Sequence, residues 1–246
     1  MTTQSKRPQP KDQQDIDTPV PTGGSPESAP APPGSAAIPP EPGGVSPAPS
    51  FELSGGELCL DFANTVDSRP TEEPLELLPD FDGLVAWSLQ AKVLPSVDAE
   101  EILEEAARHP RRGAAVLKQA REVREAIFQI FSATAQGTEP PGGAMALLNR
   151  NLPAALGHRR IVREDAGYRW EWEEGDSLGR MLWPILTSTA DLLTSQRLSR
   201  VRLCSAENCD WLFLDQSKNR SRRWCDMAVC GNRSKVRRFR RAHSGS

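Results

Sequence analysis

The chain has 246 residues, enough for one full-sized domain and a small module. Its net charge is only −3, but residues 200–246 carry 12 Lys and Arg against 4 Asp and Glu, while the remainder carries 18 against 29. An acidic body with a strongly basic end points to a polyanionic partner, and with no bilayer-length apolar run or secretory h-region in the sequence a cytoplasmic protein is expected.

Residues 1–50 hold 13 of the 22 prolines, with Gly, Ser, Ala and Gln around them. Such a stretch cannot bury enough apolar surface to offset its ordering entropy, so a disordered tail is expected. From Phe51 to Phe62 the chain reads as two extended pieces around Gly55-Gly56, or as a loop entering a helix. Asp61, Asn64 and Thr65 interrupt the apolar run that follows. They read either as groups bridging backbone inside a domain or, in the case of Asp61 and Asn64, as contacts to a small-molecule effector. Cys59 reads as a small core residue.

Helix signals follow. Asp80 precedes the stripe Phe81, Leu84, Val85, Leu89, and Ser96 is placed to cap a helix that ends before Pro110. The strongest pattern runs over 111–135, with Val116, Ala120, Val123, Ile127, Ile130 and Phe131 at helical spacing. After the break at 138–143 comes a short helix through Leu152. Residues 160–164 and 168–173 then alternate about Asp165-Ala166-Gly167 as a hairpin. Its second strand sets Tyr168, Trp170 and Trp172 on one face, where packing on the helices outweighs a base-stacking platform. A further apolar helix spans 178–195, its Pro184 in the first turn. It leads almost directly into Val201.

The C-terminal segment carries the chemistry. Cys204 and Cys209, then Cys225 and Cys230, form two C-x4-C pairs separated by fifteen residues. Four thiolates in two tight pairs suit one structural, tetrahedral Zn²⁺, with two disulfides as the alternative in an oxidising compartment. Residues 211–215 and 221–225 read as strands around a turn. Residues 232–242 read as a helix with Val236 and Phe239 on a narrow apolar face and a broad basic one. Knuckle, hairpin and helix make a treble-clef-like plan, in which Gly231 lets the backbone turn past the metal and the helix N-terminus faces the thiolates. The fold class is thus α+β: a mainly helical domain with a small β-hairpin over 51–198, then a zinc finger with a basic helix over 199–246.

Cys230-Gly231-Asn232-Arg233, with Trp211-x-Phe213, Asn219-Arg220-Ser221 and Arg223-Trp224-Cys225, resembles the bacterial CGNR zinc-finger family. Upstream, Leu58-Cys59-Leu60-Asp61-Phe62-Ala63-Asn64-Thr65 resembles the entry motif of that family's usual partner, the ABATE domain, and Ala190-Asp191-Leu192-Leu193 is similar too. The resemblance implies a stress-induced transcriptional regulator that binds DNA.

Arginine's planar fork suits phosphate and guanine edges. The nucleic-acid surface is therefore assigned to Arg220, Arg222, Arg223, Arg233, Lys235, Arg237, Arg238, Arg240 and Arg241, with Asn232 a local cap. Double-stranded DNA is the leading partner. RNA, with Trp211, Phe213 and Trp224 as stacking candidates, or a protein partner are the alternatives. An enzyme is the weakest reading: His109, His158 and His243 are scattered without a paired nucleophile, and four cysteines leave a metal no open position.

Overall fold

The computed structural model describes residues 50–173 and 177–243, with the side chains of Arg238, Arg241 and Ala242 outside that description. Apart from Ser50, the tail expected over 1–50 lies outside the described residues. The chain enters as a loop, the second of the two readings for this segment, and turns into α1 (Leu58–Ala63).

Side-chain caps and turn residues set several boundaries. Asp80 Oδ1 accepts the Gly83 N–H at 2.8 Å and so opens α2 (Phe81–Gln90). Ser96 is not the cap expected of it. α3 (Ser96–Arg108) starts one residue earlier, after extended Pro95, and carries no side-chain cap. Pro95 lacks an N–H and has a fixed φ, so it supplies the entry geometry without one. α4 (Pro110–Gln136) begins on a proline and ends at Gly137, whose φ of 72° lets the chain fold back so that Thr138 N–H reaches Ala133 O at 2.9 Å. α5 (Gly142–Gly157) extends further than its apolar pattern indicated and carries Pro153 within it.

α4 is the spine. Val123, Ile127, Ile130 and Phe131 are buried in one core with Leu60 and Phe62 of α1, and α1 packs in turn on α6 (Leu182–Leu193), whose Ile185 and Leu186 join the same core. Each such side chain contributes about 1.5–3 kcal/mol on removal from water. Pro184 falls in the first turn of α6, as expected.

The strands form two-stranded antiparallel ribbons: β1 (Val66–Asp67) with β2 (Leu75–Glu76), β3 (Arg159–Glu164) with β4 (Gly167–Trp172), and β5 (Val201–Leu203) with β6 (Leu212–Leu214). In the β3–β4 hairpin only the base reaches the helices. Trp172 packs beside Trp183 at 6.2 Å between ring centroids, whereas Trp170 and Tyr168 further out remain 54% and 76% exposed. The expectation that this aromatic face is covered therefore holds at Trp172 alone.

Beneath the β1–β2 ribbon a charged cluster is held inside the fold. Arg124 is 4% exposed and grips both Glu76 oxygens at 2.6 and 2.8 Å, and Glu125 at 3.0 Å. Glu125 also takes Arg69 at 2.7 Å. Burial raises both carboxyl pKa values, but the facing guanidiniums outweigh it and hold Glu76 and Glu125 below the ordinary glutamate range.

Val201, Leu212 and Leu214 belong to the same core as the helices. The C-terminal module is therefore built onto the helical part rather than suspended from it.

Candidate metal centre and nucleic-acid interface

The zinc module differs from its expected plan in one respect. Residues 221–225 form no strand, and β6 pairs instead with β5. Side chains have taken the backbone groups a second strand would use. Asp215 is fully buried, and its two carboxylate oxygens accept the N–H groups of Ser217 and Arg222 at 2.9 and 3.1 Å. Arg222 donates to the carbonyls of Trp224, at 2.9 Å, and of Cys225, while its guanidinium lies 4.7 Å from the Phe213 ring. Arg220, at φ 51°, turns the loop.

β5 and β6 carry the first cysteine pair at their turn. Cys204 N–H reaches Trp211 O at 2.8 Å, closing the knuckle. Of the second pair, Cys225 precedes a π-helical turn, Met227–Gly231, and Cys230 lies within it; Asp226 caps that turn by accepting Val229 N–H at 2.7 Å. α7 (Asn232–His243) follows at once. Gly231 does not adopt a left-handed conformation. Its role is close approach: a Cβ there would lie 3.2 Å from the Met227 sulfur. Asn232 donates to Ala228 O at 2.9 Å, a local cap as expected.

The four sulfurs are buried, free of disulfides and within 4.8 Å of one another. Cys209 and Cys225 are 3.6 Å apart, as are Cys225 and Cys230. A tetrahedral zinc with Zn–S bonds of about 2.3 Å spaces its sulfurs about 3.8 Å apart, so the donor set fits one structural Zn²⁺. Left as thiols, the four cannot all ionise. Hydrogen bonds from Cys209 and Cys225 hold Cys204 far below the ordinary thiol value, and the same contacts push Cys209 and Cys225 above it. A divalent cation removes that conflict. Among the described residues the amides aimed at sulfur are those of Cys225, 3.4 Å from Cys204 Sγ, and of Ala206 and Trp211. They come from the knuckle and its approach, and not from the N-terminus of α7.

The helical part holds this module by its open edge. Alternation along β6 directs the Leu212 N–H and C=O away from β5. Asn64, 2% exposed, answers both: its Oδ1 accepts the N–H and its Nδ2 donates to the carbonyl, each at 2.8 Å. Leu214 N–H reaches Gly55 O at 2.7 Å, and Asp61 Oδ1 fixes that turn by accepting Gly55 N–H at 2.7 Å. Trp211 Nε1 donates to Val66 O at 3.2 Å. Asp61 and Asn64 are thus brought together as backbone bridges between α1 and the finger, and Thr65 bonds locally to Phe62 O. Burial lifts the Asp61 carboxyl to about 6 against the pull of the Gly55 amide. Of the two readings of Asn64, the backbone bridge is the one the contacts match, but its partner Leu212, like the work of Asp215, is chosen by the fold and is not legible in the sequence.

The cationic side chains assigned to nucleic acid separate into two groups. Arg220, Arg223, Arg233, Lys235, Arg237 and Arg240 are exposed, whereas Arg222 is drawn inward onto carbonyls and the Phe213 ring. Arg223 lies 5.6 Å over Trp224, and Arg237 pairs with the exposed Glu207. The side chains of Arg238 and Arg241 lie outside the described residues. Trp211 and Phe213 are buried in the finger's own small core, and Trp224 packs against it with its Nε1 donated to Ser234 Oγ at 3.1 Å.

A mainly helical domain clamped to a four-cysteine zinc module is the class of protein that these features define. Residues 56–196 match the ABATE family, whose description is "Putative stress-induced transcription regulator", and residues 200–243 match the CGNR zinc finger. The first match spans more than half of the chain, which therefore belongs to the ABATE family and carries a CGNR finger behind it. No curated protein matches the chain. Among the described residues no helix is long and apolar enough to cross a membrane.

Proposed function

We propose that this protein is a DNA-binding transcriptional regulator that holds duplex DNA with the cationic surface of its zinc-scaffolded finger. The observation that carries the reading is the exposure of Arg220, Arg223, Arg233, Lys235 and Arg237, all within one short segment. They sit on a segment of 12 basic and 4 acidic residues. Two of those acids are engaged away from the basic surface, Asp215 buried on backbone amides and Asp226 capping the metal turn. Such a surface exchanges condensed counterions for phosphate contacts. The helical domain regulates the finger, and in this reading Asp61 and Asn64 are where an effector-driven shift of α1 reaches β6.

The test is binding of the zinc-loaded full chain to random-sequence duplex DNA across a salt series, with and without a chelator. Affinity falls steeply with salt and is lost on chelation. Arg233→Ala lowers the log–log salt slope by about one. A zinc-loaded chain that ignores duplex DNA even at low salt overturns the reading and turns the search to RNA and protein partners.

A further inference from the structure

A second feature lies on the helical domain. A groove of about 810 Å³ opens between β4, the start of α6 and the α2–α3 turn. Its apolar walls are Leu94, Pro95, Trp170, Trp172, Trp183 and Pro184. A concave volume in the range of roughly 300–1,000 Å³ suits a small ligand rather than a macromolecular surface.

The charges of the lining are unequal. Four carboxylates, those of Asp98, Glu101, Glu171 and Glu173, face two guanidiniums, those of Arg169 and Arg180. Asp98 pairs with Arg180 at 3.2 Å, and Glu171 with Arg169 at 2.6 Å. That leaves Glu173, 3.8 Å from His158 Nδ1, and Glu101, which has no ion pair among the described residues. The tryptophans add a second attraction of the same sign. The face of an indole ring is its electron-rich side, and one face of Trp170 and of Trp172 already takes the Arg159 guanidinium, at 4.3 and 5.7 Å; the ligand uses the ring surface that Arg159 leaves uncovered. Two carboxylates without a guanidinium partner, set beside the half-exposed Trp170 and the partly buried Trp172, select positive charge carried on an apolar body.

We propose that this groove binds a small aromatic ammonium compound, its cationic head between Glu101 and Glu173 and its ring against Trp170 and Trp172. Trp183 and Pro184 lie in the first turn of α6, whose other end leads through residues 196–200 into β5 of the finger. The ligand would therefore seat on an element continuous with the zinc module. Asp61 and Asn64 take no part in this site.

The experiment is isothermal titration calorimetry of the zinc-loaded full chain with benzyltrimethylammonium, beside the neutral benzyl alcohol and the anionic phenylacetate. The cation binds saturably with one site, and the neutral and anionic compounds bind at least tenfold more weakly. Trp170→Ala, at a half-exposed position that leaves the thermal melt unchanged, weakens the cation about tenfold, as does Glu101→Gln combined with Glu173→Gln. Absence of saturable binding by the cation overturns the proposal. So does equal binding of the neutral compound, or cation binding that survives both sets of substitutions.

Discussion

Asn64→Ala removes the clamp between the helical domain and the finger, and its cost follows from what it leaves behind. The side chain answers two backbone groups of Leu212, each at 2.8 Å, on a residue with no exposed surface. Water cannot replace either bond without opening the core. A buried polar group left unmatched costs about 1–3 kcal/mol, so the pair amounts to roughly 2–6 kcal/mol. That is a large share of the about 5–15 kcal/mol that holds a domain folded. Asn64→Asp keeps an acceptor for the N–H but sets a carboxylate oxygen against the Leu212 carbonyl, so it recovers stability only where acid protonates it. The assay is urea unfolding of the zinc-loaded full chain, followed by far-ultraviolet circular dichroism in excess zinc. A loss under about 0.5 kcal/mol for Asn64→Ala, the range of an ordinary surface substitution, refutes the clamp.

Chelation of zinc lowers the melting temperature of the helical domain together with the finger, because Val201, Leu212 and Leu214 lie in the shared core; a helical transition in calorimetry that does not move on chelation contradicts this. Asp61 has a folded pKa of about 6 against an ordinary 3.8, so the protonated form is favoured on folding. Its contribution to stability is complete below about pH 4 and is lost as pH rises through about 6. Asp61→Asn therefore flattens the pH dependence of stability in that window, measured as the midpoint of urea unfolding, and an unchanged slope counts against the burial argument. Arg222→Ala destabilises the zinc-loaded chain by about 2 kcal/mol, since two carbonyls and the Phe213 ring lose their cation, while Arg233→Ala stays within about 0.5 kcal/mol. Equal losses at the two positions in thermal unfolding erase the division between inward and outward arginines.

What could be read in advance was local. The paired cysteines have four residues between them within each pair, and Asp80 caps its helix through the amide three residues on. Asp165-Ala166-Gly167 turns a hairpin, and α4 repeats its apolar residues at the period of one helix face. In each case the information and the structure occupy the same short window, so one sequence suffices. The family motifs around Cys204 and Cys230 are of this kind too.

Tertiary structure decided whatever depends on a distant partner. Asn64 and Leu212 are 148 residues apart, and no property of either names the other. Nothing in the arginine run distinguishes Arg222 from Arg223 until Phe213 and the Trp224 and Cys225 carbonyls are in place. Residues 221–225 carry a plausible strand pattern, but the buried carboxylate of Asp215 and the Arg222 fork take backbone groups that a ladder would need. Tyr168 and Trp170 alternate as a buried face would, yet the hairpin extends past the helices. A single hydrogen bond or apolar contact is weak against chain entropy, so which pairings survive is settled by the whole core at once. Sequence by itself determined that this chain has a helical domain and a zinc-binding basic end. The fold decided that the two are one clamped body, and which of the arginines are drawn inward.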